Sequence, residues 1–264
     1  MAVSDAVDAF GDAVADAAGH MRASLERLVG RKQPIFSSGN ALTLLQGSRE
    51  FFPALVQAMD GAQRSIYFET YIFDTTASGT EIAQALMRAA ERGVAVHVVV
   101  DGFGARIFDN EWQQRFEQAG VQMRVYSPPG RWFLFMRQQW QRMHRKLCAV
   151  DDAIAFCGGI NVLDDFYDPQ YGTLTSPRLD FTVRVTGPVA ASISQACQLL
   201  WLRLQNQSVK SLDLKGLARP TQILRNVGED PGSAMLVLRD NLRKRRQIER
   251  AYLQAIGRSR HAMI

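Results

Sequence analysis

Apolar residues recur every three or four positions at Val3, Val7, Phe10, Val14, Ala17, Met21, Leu25 and Leu28, which predicts an amphipathic helix over residues 3–29. Asp5, Asp8, Asp12 and Asp16 form a second stripe and precede Arg22, Arg27 and Arg31, the order a helix dipole favours. A helix lying on a membrane carries Lys and Arg along its polar face, so the expectation here is a helix docked on the protein. QPIFSSGN (33–40) reads as a linker.

From Ala41 the period changes. ALTLLQ (41–46), RSIYFETYIF (64–73), VAVHVVVD (94–101) and VQMRVY (121–126) are short runs rich in β-branched, aromatic and aliphatic residues, and they predict strands. VAVHVVVD is nearly all apolar, the mark of a strand covered on both faces. Helical patterns lie between them. One spans 48–62, with Pro53 tolerable in an early turn. A second carries Ile82, Leu86 and Ala89, with Ser78 and Glu81 as a capping box and Gly93 at its end. A third carries Trp112 and Phe116 and closes at Gly120. KLCAVDDAIAFCGG (146–159) predicts a hairpin turning at Asp151–Asp152. LDFTVRVTGP (179–188) predicts a strand and 189–204 a long helix. Residues 206–232 read as loop-rich, AMLVLR (234–239) as a strand and 241–257 as a helix. This alternation predicts an α/β fold, an α-β-α sandwich around a mixed, largely parallel sheet.

ALVQAMDGAQRSI, from Ala54, and AYLQAIGRSRHAM, from Ala251, align without a gap and keep both alanines, the glutamine and the apolar spacing. That predicts the start of a second copy of one β/α unit. The expected organisation is an N-terminal helix and linker (1–40), a first domain (41–205), and a linker with the incomplete start of a second domain (206–264).

Composition narrows the class. The chain has 264 residues, 47% apolar and 22% charged, which suits a globular domain with a real core and argues against dominant disorder. A net charge of +5 favours an anionic partner, nucleic acid or an acidic membrane surface. Cys148, Cys157 and Cys197 form no C-x-x-C pair, so they read as small core residues in a reducing cytosol. No signal-peptide pattern opens the sequence, and no run approaches the roughly 18 apolar residues of a spanning helix. Action on lipid would be from the surface.

The chemistry concentrates in MHRKLCAVDDAIAFCGGIN, from Met143 to Asn161. His144, Lys146 and Asp151 follow H-x-K-x4-D. On a strand over 144–150, His144 and Lys146 would project from one face. Lys146 would hold a phosphate diester, and His144 would attack phosphorus to give a phosphohistidine. Gly158 and Gly159 would let the backbone approach the anion, and Asn161 would add a neutral donor. An attacking imidazole needs a carboxylate to orient it, and both Asp180 and Asp151 are candidates. No metal or other cofactor is expected: His20, His97, His144 and His261 lack ligand spacing and the cysteines are unpaired.

Just before this cluster, residues 128–146 interleave basic and aromatic side chains. Arg131, Trp132, Phe133, Phe135, Arg137 and Trp140 could meet lipid head groups at an anionic bilayer, stack on single-stranded nucleic acid, or pack on their own domain. Arg243, Lys244, Arg245, Arg246 and Arg250 form a second basic stretch, read as a solvated helix face.

HRKLCAVDDAIAFCGGIN resembles the signature of the phospholipase D superfamily. With YFETYIF (67–73) and VVVDGFGA (98–105), it is similar to bacterial cardiolipin synthases of the type without N-terminal membrane spans. The resemblance covers residues 41–204 and resumes near 234. It implies a phospholipase D-like fold and a metal-free phosphatidyl transfer that makes cardiolipin through a phosphohistidine. It also implies a peripheral location on the inner face of the bacterial membrane. By position, Asp180 matches the acid that orients the histidine of the first signature. Family members pair two signatures across one site, and this sequence holds one. The expectation is a two-copy enzyme of which this chain carries the first half-site. The alternatives are a dimeric phosphodiesterase or nuclease, and an inactive lipid-binding remnant.

Overall fold

The structure, a computed structural model, describes residues 36–76, 78–104, 110–128, 142–168, 171–205, 232–238 and 246–259. The N-terminal helix expected over 3–29 lies outside the described residues.

Seven strands form one sheet. They are β1 (Ala41–Gln46), β2 (Ser65–Thr70), β3 (Ala95–Asp101), β4 (Gln122–Tyr126), β5 (Leu147–Val150), β6 (Ile154–Gly158) and β9 (Phe181–Thr186), in the order β1-β9-β6-β5-β2-β3-β4. A small antiparallel pair, β7 (Tyr167–Asp168) and β8 (Gly172–Thr173), sits apart and was not foreseen from sequence. The helices are α1 (Gly47–Asp60), α2 (Gly79–Glu91), α3 (Asn110–Ala119), α4 (Pro188–Gln205) and α5 (Gln247–Arg258).

β2, β3 and β4 pair in parallel because α2 and α3 carry the chain back across the sheet between them. The hairpin β5–β6 and the strand β9 then add antiparallel neighbours. β1 joins antiparallel at the far edge. The sheet is therefore mixed: β1, β2, β3, β4 and β6 run one way, β5 and β9 the other.

Helices cover both faces. On one side Phe51, Leu55 and Met59 of α1, Ile82 and Leu86 of α2 and Phe116 of α3 pack on Ile66, Phe68, Val96, Val98, Cys148 and Phe156. On the other side Val189, Ala190, Ile193 and Cys197 of α4 pack on Leu147, Ala149, Ala155 and Val185. This is why β3 reads as a continuous apolar run.

Two local expectations fail. Ser78 has helical dihedrals (φ −64°, ψ −22°), so its hydroxyl cannot turn back to cap α2, and among the described residues that hydroxyl meets no hydrogen-bond partner. The helix start has no side-chain cap; Asp74 folds the loop before it, accepting Thr76 N at 2.8 Å and Thr76 Oγ1 at 2.7 Å, and Gly79 N donates to Thr76 O at 3.1 Å. The strand expected over 234–239 reduces to one bridge, Ala234 with Ser37, because residues 235–238 meet no strand edge among the described residues. Asn40 secures that bridge: its Nδ2 donates to Ser37 O (2.6 Å) and Gly232 O (2.9 Å), and its Oδ1 accepts Val189 N at the start of α4 (2.8 Å).

The end of the sheet that matters for function gathers the C-terminal ends of β1, β2, β3 and β6 with the N-terminal ends of β5 and β9. Open α/β sheets bind ligands at such an end.

Candidate active site

Two acids end strands that are otherwise apolar. Glu69, near the end of β2, is 1% exposed, and Asp101, at the end of β3, is 0% exposed. A buried carboxylate must be satisfied. Asp101 accepts Met143 N at 2.7 Å and Phe103 N at 2.9 Å, and Arg142 Nη1 lies 3.3 Å away. Arg145 Nη2 lies 2.9 Å from Glu69 Oε1 and 2.8 Å from Oε2. Both acids thus grip residues 142–146, which form no helix or strand. The strand expected from residue 144 begins only at Leu147.

That gripped segment carries His144 and Lys146. Lys146 Nζ lies 3.3 Å from His144 Nδ1 and 3.5 Å from Nε2. The Tyr71 ring packs 5.1 Å from the imidazole centroid, and Lys146 Nζ sits 5.4 Å from the centre of the same ring. The two side chains share one face, as the sequence predicts, although the backbone is not yet strand. Burial, then the Lys146 ammonium, hold the His144 pKa below its usual value, with Asp101 opposing them. Burial lowers Lys146 to about 8, against the pull of Asp180 and Asp101. At pH 7 the imidazole is therefore unprotonated and its lone pair is available, while Lys146 still carries its charge.

The glycine pair serves differently from expectation. Its amides are taken by the sheet: Gly159 N donates to Phe181 O at 2.9 Å and Gly158 N to Lys146 O at 3.3 Å. They do not face an anion. What the glycines supply is room. A Cβ on Gly159 would lie 2.1 Å from Asp180 Oδ1, and one on Gly158 would lie 2.3 Å from Thr182 Oγ1. Asp180 therefore reaches over Gly159 toward the site, where its charge acts on Lys146. Asn161 Oδ1 accepts Ile72 N at 3.1 Å, so its NH2 is the group it can offer a ligand.

Asp151 is not brought to the site. It lies past the other end of β5, about 20 Å from His144 along an extended chain. There its carboxylate accepts Gln63 N, Arg64 N and Ser65 N, each at 2.8 Å. Burial opposes ionisation, but these three N–H groups and Arg64 hold the carboxyl below its usual value. Asp151 fixes the turn, with φ of 53° at Asp151 and 59° at Asp152, and takes no part in phosphate binding. The head-group residues named from sequence, Arg131, Trp132, Phe133, Phe135, Arg137 and Trp140, lie outside the described residues.

Sequence reasoning gave no role to Tyr71, Glu69 or Asp101, and took Arg145 only as one of the basic residues of 128–146. The signal for the acids was present: a carboxylate closing an apolar strand has to be there for a partner.

A family model described as "Cardiolipin synthase, PLD-like domain" matches residues 55–171, which include His144, Lys146 and Asn161. Cardiolipin synthase B of Salmonella typhi is 34% identical over 229 residues, covering 86% of this chain and 52% of that protein. Cardiolipin synthase B of Escherichia coli strain K12 is 32% identical over 228 residues, with the same coverage of 86% and 52%. The chain belongs to the phospholipase D superfamily. It spans about half the length of the curated relatives it matches. The superfamily fold is also that of phosphatidylserine synthase from Haemophilus influenzae Rd KW20, which superposes with a TM-score of 0.50 at 16% identity over 69% of this chain and 41% of that one. No helix among the described residues is long and apolar enough to cross a membrane.

Proposed function

We propose that this chain supplies one half of a phosphatidyl-transfer site of the cardiolipin synthase type, acting on anionic phospholipid at the inner face of a bacterial membrane. The observation that carries this reading is Lys146 Nζ 3.3 Å from an imidazole held unprotonated at neutral pH. A cation to hold a phosphodiester stands beside a lone pair able to attack it.

Residues 41–205 form the first phospholipase D-like domain in this reading, and 206–264 the linker and start of a second. The helix α5 supports it. Ile248, Tyr252, Leu253 and Ile256 are 39%, 68%, 60% and 48% exposed. In the ungapped alignment they stand where α1 buries Phe51, Leu55, Val56 and Met59 at 5%, 0%, 8% and 0%. An apolar helix face of this kind waits for a sheet.

A ring nitrogen of His144 attacks phosphorus, and the bond from phosphorus to the first alcohol oxygen breaks. That oxygen takes a proton from a histidine of the second half. An acceptor hydroxyl then returns a proton to that histidine, attacks phosphorus and releases His144. Lys146 holds the non-bridging oxygens throughout, Asn161 donates to them, and Asp180, expected from sequence to orient His144, acts instead on Lys146 and keeps it charged.

The test is trapping with phosphorus-labelled phosphatidyl lipid, quenched in SDS at neutral to alkaline pH. A base-stable, acid-labile phosphohistidine should form and be absent from His144→Ala. Undiminished label in that variant would reassign the nucleophile.

A further inference from the structure

His144 and Lys146 sit on a stretch without regular structure, so other side chains must hold it in place. Asp101 holds one end through Met143 N. The other hold comes from the α4 face of the sheet. Glu69 pairs with Leu147 across β2–β5, and Arg145 Nη2 donates to its Oε1 at 2.9 Å and stands 2.8 Å from Oε2, which accepts no hydrogen bond among the described residues. The Cys197 thiol of α4 also acts on the same carboxyl.

We propose that Glu69 is a positioning residue: through Arg145 it fixes residues 144–146 so that the His144 imidazole stays against the Lys146 ammonium.

Arg145 stands between the two reactive residues in the chain. Drawing its side chain to the α4 face turns its neighbours to the other. The contact is end-on, one guanidinium nitrogen on the carboxylate, and a charge-assisted bond of this length to a buried acid fixes where Arg145 must lie. Burial pushes the Glu69 carboxyl up, and the Arg145 charge is the strongest pull the other way. Releasing it would leave the buried carboxyl without its cation, and the contact is held firmly for that reason. The functional meaning rests on the role proposed for His144, but the geometry can be measured without turnover.

The experiment is an NMR pH titration of the His144 imidazole in the full chain, with His97 as internal reference and thermal unfolding in parallel. The groups acting on His144 are Lys146 and Asp101, with Tyr71 packed on its ring. Arg145 points to Glu69, and Asp180 acts on Lys146. Glu69 is not among the groups that shift His144, so removing its charge alone leaves the imidazole where it is. Displacement away from Lys146 is what moves it.

In Glu69→Gln the His144 midpoint should rise toward the ordinary imidazole value of about 6.5, with His97 still depressed. Arg145→Gln, which removes the guanidinium from Glu69, should shift it the same way. The double variant Glu69→Gln/Arg145→Gln leaves no buried charge unpaired. It should regain thermal stability without regaining the wild-type His144 midpoint. An unchanged midpoint in the double variant overturns the proposal, including where Glu69→Gln fails to fold. Shifted midpoints together with phosphohistidine that survives His144→Ala would sink the nucleophile assignment and leave the positioning role standing.

Discussion

At its open end the β5–β6 hairpin presents His144 and Lys146, and at its turn end it presents Asp151. All three belong to one seven-residue spacing, yet their surroundings are opposite. The three N–H groups around Asp151 match its charge, and its pKa falls. Lys146 is 8% exposed, has an imidazole and a tyrosine ring as close company, and its pKa falls to about 8, against its charged form. One end is arranged for stability. The other holds a cation at a cost, as sites that must receive an anion do. The spacing H-x-K-x4-D is thus set by hairpin length as much as by chemistry: its acid locks the turn that its histidine and lysine depend on.

The largest effect should come from Lys146→Met. Phosphoryl transfer should fall about 10²–10³-fold, the loss typical of removing one charge-stabilising donor. Thermal stability should hold or rise. A lysine displaced from about 10.5 to about 8 disfavours the folded state at pH 7 by on the order of 3 kcal/mol, a penalty the variant removes. A variant that melts well below the parent would place Lys146 with the structural residues and erase the contrast between the two ends.

The next is smaller and needs no mutation. The Lys146 13Cε resonance should titrate with a midpoint near 8. The sign follows from the depressed value: below pH 8 the ammonium is present to hold a diester, and above it the free site loses about tenfold in charged fraction per pH unit. Transfer measured as kcat/KM should decline over the same range. A midpoint above 10 would mean that the site end is solvated like any surface lysine.

Much of this was legible in sequence, and what was missed has a common cause. The apolar run of β3 announced burial on both faces, and Asp151–Asp152 announced the turn. Both signals are local, and packing confirmed them. The hydrophobic spacing of α1 and α5 is alike, yet only α1 is buried, because burial requires a sheet to cover the stripe. The same holds for 234–238, whose composition suits a strand but where, among the described residues, only Ala234 pairs, with Ser37. Ser78 failed as a cap because one residue's dihedrals decide capping, and sequence does not specify them. The glycine pair was read as an anion cradle. Which partner takes an amide depends on β9, far along the chain, and β9 takes Gly159. Glu69 and Asp101 were visible as acids in apolar strands, but their partners Arg145 and Met143 become apparent only when the strands meet.

The smallest effect tests the turn end alone. Asp151→Asn keeps shape and loses charge on an acceptor of three backbone N–H groups, two on Oδ1 and one on Oδ2. At pH 7 it should destabilise the fold by about 1–3 kcal/mol, read by urea unfolding, with the His144 and Lys146 titrations unmoved. The carboxyl's folded pKa is depressed, so its contribution is complete above the unfolded value of about 3.9 and is lost as pH falls through the folded value. The gap between parent and variant should therefore be widest near neutrality and close in acid. A gap that persists unchanged at low pH would mean that Asp151 acts by shape, not charge. A shift of the His144 midpoint in this variant would join the two ends that the structure keeps apart.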